Sequence, residues 1–134
     1  MSRLISYLTF GGNCREAMTF YQKCLGGELR FQTLGESPMA DQFPRKIKGC
    51  ILHSSLHRYG WVLMGTDMVG EEGLIKGNAI SLLIECSSEN EMRNLYEMLS
   101  ENGQSTHPIH TTFWGALFGG LTDKYGNGWL FHYQ

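Results

Sequence analysis

The sequence predicts an α+β fold made of two similar modules, because one order of elements occurs twice. Residues 5–67 and residues 79–133 each read as strand, helix, strand, strand, strand. Each half also ends in a glycine-containing turn followed by tryptophan, RYGW at 58–61 and YGNGW at 125–129. A unit of this size does not close a core alone, so we expect the two copies to pack on each other.

Length and composition are consistent with this organisation. The chain has 134 residues, of which 42% are hydrophobic and 18% are charged, which is enough to bury a core. Seventeen glycines and three prolines suit many strands joined by tight turns. We therefore expect a single domain over residues 1–134, with modules at 1–68 and 78–134 and a linker at 69–77.

The first module opens with a strand and a helix. Alternating apolar residues at Leu4–Phe10 predict the strand, which the glycine pair at 11–12 ends. Asn13 is then the expected N-cap, and Glu16 lies where a capping box needs an acidic side chain. The glycine pair at 26–27 ends the helix, because glycine tolerates a left-handed backbone.

Three strands and one long loop complete the first module. The strands are predicted at Leu29–Leu34, Cys50–His57 and Trp61–Asp67. Residues 35–48 mix Gly, Pro, Asp and Lys, and we interpret them as a mobile loop that could act as a lid.

The second module repeats the pattern. A strand at Ala79–Cys86 precedes a helix whose N-cap is Ser88, with Glu91 at the capping-box position. Pro108 cannot donate a ladder hydrogen bond, so it indicates an edge strand or an early strand end. The remaining strands are predicted at Gln104–Thr111, Trp114–Thr122 and Trp129–Tyr133.

Charge and hydropathy argue against several classes of partner. The formal net charge is −2 and no Lys/Arg cluster stands out, which argues against nucleic acid. No apolar run is long enough to cross a bilayer. The N-terminal residues lack the apolar stretch of a signal peptide, so we expect a cytoplasmic protein.

The four cysteines form no CxxC pair, which argues against structural zinc and favours buried, reduced thiols. Cys14 leaves an alternative open. It lies near the N-terminus of the first helix, where the helix dipole could lower the thiol pKa. Its place in the apolar stripe of that helix favours burial instead.

The five histidines form no HxH or HExxH motif. His107 and His110 are three residues apart, so a regular strand would place them on opposite faces. His53 and His132 alternate with apolar neighbours on strands. Either could line a ligand site as a hydrogen-bond donor or a general base.

The stretch TTFWGALFGGL at 111–121 places Phe113, Trp114 and Phe118 among glycines. Aromatic side chains beside glycines can form an apolar pocket wall that a ligand approaches closely. The same residues could instead fill the core between sheet and helix. No glycine pair fits a phosphate-binding motif, so we interpret these pairs as turns.

Several segments together resemble the glyoxalase/bleomycin-resistance/dioxygenase superfamily, also called vicinal oxygen chelate, and more narrowly its PhnB-like subfamily. The most specific are YLTFGGNCREAMTFYQKCLGGEL at 7–29 and FWGALFGGLTDKYGNGW at 113–129. ILHSSL at 51–56, LMGTDM at 63–68 and GNAISLLIE at 77–85 agree with them. The resemblance implies two βαβββ modules forming a half-open barrel, a ligand cleft between them, and a homodimer.

Enzymes of that superfamily hold a divalent metal through His or Glu on four strands. The resemblance assigns those positions to Ser6, Met64, Ala79 and Leu130. None carries a strong ligand for zinc, nickel, manganese or iron, so we expect no metal and no other cofactor.

The expected function is therefore a metal-independent small-molecule-binding protein, with an unidentified ligand in the cleft between the modules. The alternative is a metal-dependent lyase, isomerase or dioxygenase in which His53 or His132 replaces the missing metal ligands. A third hypothesis is a dimer whose own side chains fill the cleft. PhnB-like sequences also carry a methyltransferase label, which the order of elements and the absence of a nucleotide-binding loop do not support. The candidate cleft residues are Ser6, Leu8, His53, Met64, Ser81, Trp114, Phe118, Leu130 and His132.

Overall fold

Both halves of the chain fold as the repeat predicts, each into a four-stranded mixed β-sheet with one α-helix. The computed structural model describes residues 1–134. It divides them into two units, Met1–Ile75 and Lys76–Gln134. The α+β class predicted from the sequence is confirmed. No helix combines the length and the hydropathy that crossing a bilayer requires.

In the first unit the last strand lies inside the sheet. The order is β1-β4-β3-β2, with β1 parallel to β4 and the other neighbours antiparallel. The predicted loop after β2 contains three short 3-10 turns, at Leu34–Glu36, Ala40–Gln42 and Arg45–Ile47. The elements are β1 at Ser6–Thr9, α1 at Cys14–Leu25, β2 at Glu28–Thr33, β3 at Ile51–Arg58 and β4 at Trp61–Thr66.

The second unit repeats this topology with the order β5-β8-β7-β6 and β5 parallel to β8. Pro108 lies on β6, which is an edge strand, as the missing proline N–H predicts. The elements are β5 at Ser81–Glu85, α2 at Glu89–Leu99, β6 at Gln104–Thr111, β7 at Leu117–Thr122 and β8 at Gly128–Tyr133.

The two helices begin in different ways. In α2 the predicted N-cap is confirmed, because Ser88 Oγ accepts a hydrogen bond from the backbone N–H of Glu91 at 3.1 Å. The Glu91 carboxylate accepts from the N–H of Ser87 at 2.9 Å and not from that of Ser88, so the reciprocal bond of a capping box is not formed. In α1 the prediction of an Asn13 cap is wrong, because the Asn13 side chain makes no capping bond. Its ψ of 26° is not the extended backbone from which a cap side chain reaches back into the helix.

Asp67, which follows β4, caps α1 instead. Its Oδ1 accepts from the backbone N–H of Gly12 at 3.0 Å and of Cys14 at 2.9 Å. Its Oδ2 accepts from the N–H of Ile51 at 2.8 Å. One buried carboxylate therefore ties the helix N-terminus to the start of β3, and the negative charge is favourable at that end of the helix dipole.

The core of each unit lies between its helix and one face of its sheet. In the first unit the fully buried residues of α1 include Ala17, Met18 and Tyr21. In the second unit Met92 and Leu99 of α2 are fully buried, and the Tyr96 ring lies 5.5 Å from that of Phe131 on β8. Each helix thus buries one apolar face against its sheet.

The structure decides whether Cys14 is a buried thiol or one with a lowered pKa at the helix N-terminus. The residue is fully buried and its Sγ lies 3.4 Å from Ser54 Oγ. Burial raises the pKa of the Cys14 thiol from the ordinary value of 9.0 to about 11, and that of Cys86 likewise. The alternative of a lowered thiol pKa is therefore wrong, because burial raises the pKa of Cys14 by more than the hydrogen bond with Ser54 lowers it. None of the four cysteines forms a disulfide.

We expect these thiols to make the protein less stable in alkali. The unfolded chain loses each thiol proton near pH 9.0, whereas the folded protein holds it until about pH 11. Unfolding therefore releases protons in this window, and the free energy of unfolding falls as the pH rises through it. Urea unfolding at about pH 8 and about pH 10 should show a smaller decline for a Cys14→Ala/Cys86→Ala variant than for the wild type. Equal declines would contradict the assignment.

Candidate functional site

Each sheet has one face against its helix and one face pointing away from it, which we call the distal face. On the second sheet Gly119 marks the helix side, since a Cβ there would lie 3.2 Å from the Tyr96 ring. Neighbours in register on adjacent strands share a face. The row Glu85, His132, Phe118 and His110 runs across all four strands on the distal face.

One ring–ring contact and one contact between an imidazole and a carboxylate link members of this row. The imidazole of His110 lies edge-on to the Phe118 ring, with 6.2 Å between the ring centroids. His132 Nδ1 lies 3.9 Å from the exposed carboxylate of Glu85. Phe118 thus stands between two imidazoles, of which one, on β8, has an acidic neighbour.

A pocket of about 400 Å³ opens where β6 turns into β7. Its walls are largely aromatic, and the rings of Phe113 and Trp114 meet edge-on at 4.9 Å. Phe113 is 98% exposed and Trp114 is 51% exposed. The lining residues are His107, His110, Thr111, Thr112, Phe113, Trp114 and Phe118.

A tight turn presents the two aromatic residues at the tip. Thr112 N–H donates to Ala116 O at 2.7 Å, and Gly115 N–H donates to Thr112 O at 3.0 Å. Gly115 has a φ of 90°, which side chains other than glycine rarely adopt. The strand predicted from Trp114 therefore begins at Leu117, because residues 112–116 are used by the turn.

Irregular pairing of β6 with β7 allows His107 and His110, three residues apart, to line the same pocket. The register shifts between Ser105 and His107, and again between His107 and His110. Both histidines line the pocket, because β6 is not the regular strand that would place them on opposite faces. The second shift spans Pro108, which has no N–H for the ladder and so permits the irregularity there.

The predicted site residues of the second module share one face. Trp114 and Phe118 line the pocket itself. His132 belongs to the row described above. Leu130 lies two residues before it on β8, and Ser81 lies four residues before Glu85 on β5, so both also lie on the distal face. Ser81 nevertheless lies away from the pocket, because it pairs with Gly128 at the opposite end of the strands and on the edge strand farthest from β6.

The candidates of the first module divide between two faces. His53 and Met64 lie on the distal face of the first sheet, where the hydroxyl of Tyr7 is 3.2 Å from His53 Nδ1. Ser6 and Leu8 alternate with Tyr7 and so lie on the α1 side. A Cβ on Gly65, the neighbour of Leu8, would lie 3.2 Å from Met18 of that helix.

Sequence reasoning did not select four residues of the pocket, namely His107, His110, Thr111 and Thr112. Thr111 and Thr112 belong to the aromatic and glycine-rich stretch at 111–121 itself, and His107 and His110 lie within four residues before it, so proximity to that stretch is the signal that could have found them. The prediction of a ligand cleft enclosed by the two modules stays a prediction.

The residues at the positions that the superfamily uses for metal do not fit a divalent ion. Ser6, Met64, Ala79 and Leu130 supply a hydroxyl, a thioether and two hydrocarbon side chains, whereas such ions take imidazole, thiolate or carboxylate. Nowhere in residues 1–134 do three or more His, Cys, Asp or Glu side chains come together in a way that could hold a metal ion.

Comparison with known proteins gives matches over nearly the whole chain. Residues 2–131 match the family described as 3-demethylubiquinone-9 3-methyltransferase. Protein YjdN of Escherichia coli strain K12 is 30% identical over 139 residues, covering 95% of this chain and 92% of YjdN. The crystal structure of protein PA1353 from Pseudomonas aeruginosa is 32% identical with a TM-score of 0.86, covering 100% of this chain and 98% of that one.

More distant solved structures share the fold. A PhnB protein from Bacillus cereus is 23% identical with a TM-score of 0.77, over 99% of this chain and 100% of that one. A glyoxalase/bleomycin resistance protein from Albidiferax ferrireducens T118 is 13% identical with a TM-score of 0.64, over 98% and 99% of the two chains. The two mixed sheets with their helices are thus the arrangement found in glyoxalase/bleomycin-resistance proteins.

Proposed function

Because this chain belongs to the PhnB-like 3-demethylubiquinone-9 3-methyltransferase family and has the glyoxalase/bleomycin-resistance fold, we propose that it is a metal-independent small-molecule-binding protein. The observation that carries the proposal is the aromatic pocket of the second unit. Its volume of about 400 Å³ lies within the range of pockets that hold small ligands.

The exposure of the pocket's aromatic residues supports a ligand there. Large aromatic side chains gain most from burial, yet Phe113 and Trp114 stand open to solvent on a turn with fixed geometry. A ligand that covers their rings would remove apolar surface from water without reorganising the backbone. Such preorganisation lowers the entropy cost of binding.

The methyltransferase in the family's description is not the function we propose. A cofactor that carries adenosine, such as the methyl donor S-adenosylmethionine, is commonly held at a glycine-rich turn between a strand and a helix. The turn before α1 is already used, because the carboxylate of Asp67 accepts from the N–H groups of Gly12 and Cys14. These N–H groups are therefore not available to hold such a cofactor. We expect S-adenosylmethionine to leave the melting temperature unchanged.

The binding role can be tested with a panel of neutral aromatic compounds and thermal unfolding. A ligand at about 100 times its Kd stabilises the folded state by about 2.7 kcal/mol, which raises Tm by several degrees. We expect Trp114→Ala to weaken binding of any such compound at least about tenfold, since a central aromatic contact is lost. Trp61→Ala, which removes a partly exposed tryptophan from β4 of the first unit, is the matched control. Equal loss in both variants would contradict the assignment of the pocket.

Metal analysis separates this proposal from the metal-dependent alternative. We expect protein purified without a histidine tag to contain much less than one equivalent of zinc, nickel, manganese or iron. Stoichiometric metal that disappears in His132→Ala or His53→Ala would instead favour a lyase, isomerase or dioxygenase. The homodimer and the cytoplasmic location remain predictions from the sequence, and sedimentation velocity would test the former.

A further inference from the structure

The pocket offers no permanent charge to a ligand. Its seven lining residues include no Lys, Arg, Asp or Glu. An ionised ligand would lose hydration there without gaining a side chain of fixed opposite charge, which is unfavourable. A neutral ligand avoids this cost. The aromatic walls formed by Phe113, Trp114 and Phe118 favour a flat, aromatic one.

His110 contributes a hydrogen-bonding group of defined polarity. Its Nδ1 lies 3.0 Å from the carbonyl oxygen of Pro108. A carbonyl oxygen can only accept, so Nδ1 carries the hydrogen in this bond. In the neutral imidazole the other nitrogen, Nε2, is then an acceptor. The main chain thus selects the tautomer that presents a lone pair.

The other polar groups of the lining are less well defined. Thr112 Oγ1 accepts from Ala116 N–H at 3.0 Å and lies 3.1 Å from Ala116 O, so it is used within the turn. His107 Nδ1 lies 3.3 Å from Thr106 Oγ1, and a hydroxyl can complete that bond in either direction. His110 is therefore the lining residue whose tautomer the backbone fixes.

We propose that this pocket recognises a neutral aromatic molecule bearing a hydroxyl or N–H group, which donates a hydrogen bond to Nε2 of His110. The aromatic body would lie against Trp114 and Phe118, and the donor group would point to the imidazole. This inference rests on the proposed binding function and adds the chemical class of the ligand.

Three probes of one size test the inference. 2-Naphthol carries a neutral donor, 2-methoxynaphthalene keeps the ring system but lacks the donor, and 2-naphthoate replaces the donor with a negative charge. Equilibrium dialysis gives the Kd of each. We expect 2-naphthol to bind the wild type about three- to tenfold more tightly than its methyl ether, as one net hydrogen bond allows, and more tightly than 2-naphthoate.

Two substitutions assign the effect to the imidazole. His110→Phe keeps an aromatic ring but removes the acceptor, so it should bind 2-naphthol and its methyl ether equally. His110→Gln restores an acceptor and should recover part of the preference. His57→Phe, at an exposed position on β3 of the first unit, is the control and should keep the wild-type preference.

The outcomes distinguish failure of this inference from failure of the proposed small-molecule-binding function. Equal binding of 2-naphthol and its methyl ether to the wild type overturns the inference and leaves small-molecule binding in place. Tightest binding of 2-naphthoate, or a preference that survives His110→Phe, also overturns it. If none of the three probes binds the wild type, both the aromatic pocket as a ligand site and the inference are wrong.

Discussion

Replacement of Asp67 by alanine is expected to lower the free energy of unfolding by about 3–5 kcal/mol, because three backbone N–H groups lose one acceptor. The carboxylate accepts from Gly12, Cys14 and Ile51 at 2.8–3.0 Å. Asp67 is only 8% exposed, so water does not readily replace it. Each buried donor left unsatisfied costs about 1–3 kcal/mol.

Urea unfolding followed by circular dichroism would measure this loss. Asp67→Asn keeps one oxygen acceptor but directs an NH₂ group at an N–H donor, so an intermediate loss is expected. Asp41→Ala removes an exposed carboxylate from the loop after β2 and should change stability by less than about 0.5 kcal/mol. A loss for Asp67→Ala no larger than that control would show that the carboxylate does not tie α1 to β3.

Gly27→Ala is expected to destabilise the protein by about 3 kcal/mol or more, through backbone strain and a steric clash together. Gly27 connects α1 to β2 with a φ of 102°, which a side chain strongly disfavours. A Cβ at this position would also lie 2.5 Å from the carbonyl oxygen of His57 and 3.0 Å from the Cβ of Arg58. The backbone of β3 cannot yield without disturbing its pairing with β2 and β4.

Gly49→Ala is the matched control for this substitution. A Cβ on Gly49 would meet nothing within 4 Å, and its backbone is not left-handed. We expect a change between zero and a small stabilisation, since alanine reduces the freedom of the unfolded chain. Thermal and urea unfolding of the two variants should therefore differ clearly. Similar unfolding midpoints would contradict the predicted strain at the end of α1.

The order of elements could be predicted from the sequence because hydrophobic period and turn residues are local signals. Ser88 capped α2 as expected, since its bond partner lies three residues away. The cap of α1 could not be predicted in the same way. Asp67 is distant from Cys14 in the sequence, and only the parallel pairing of β1 with β4 brings the carboxylate to the helix.

The candidate site was predictable in part for a related reason. Trp114 and Phe118 stood out because aromatic residues among glycines are unusual on a strand. His110 did not, because its face depends on the register shifts around Pro108, and period-two reasoning assumes a regular strand. The same limit applies to Ser6 and Leu8. Alternation groups them on one face of β1, but it does not reveal which face α1 covers.

In each sheet the last strand lies between the first strand and the third, so the sheet cannot form completely until that last strand has been synthesised. β1 has no neighbour until β4 arrives, since Ser6 pairs with Leu63 and Thr9 with Thr66. The ribosome must therefore release nearly the whole first unit before its sheet can close. That unit is complete at Ile75, so we expect its strands to pair while the second is still being translated. In the second unit β5 likewise has no neighbour until β8 is made, since Ser81 pairs with Gly128.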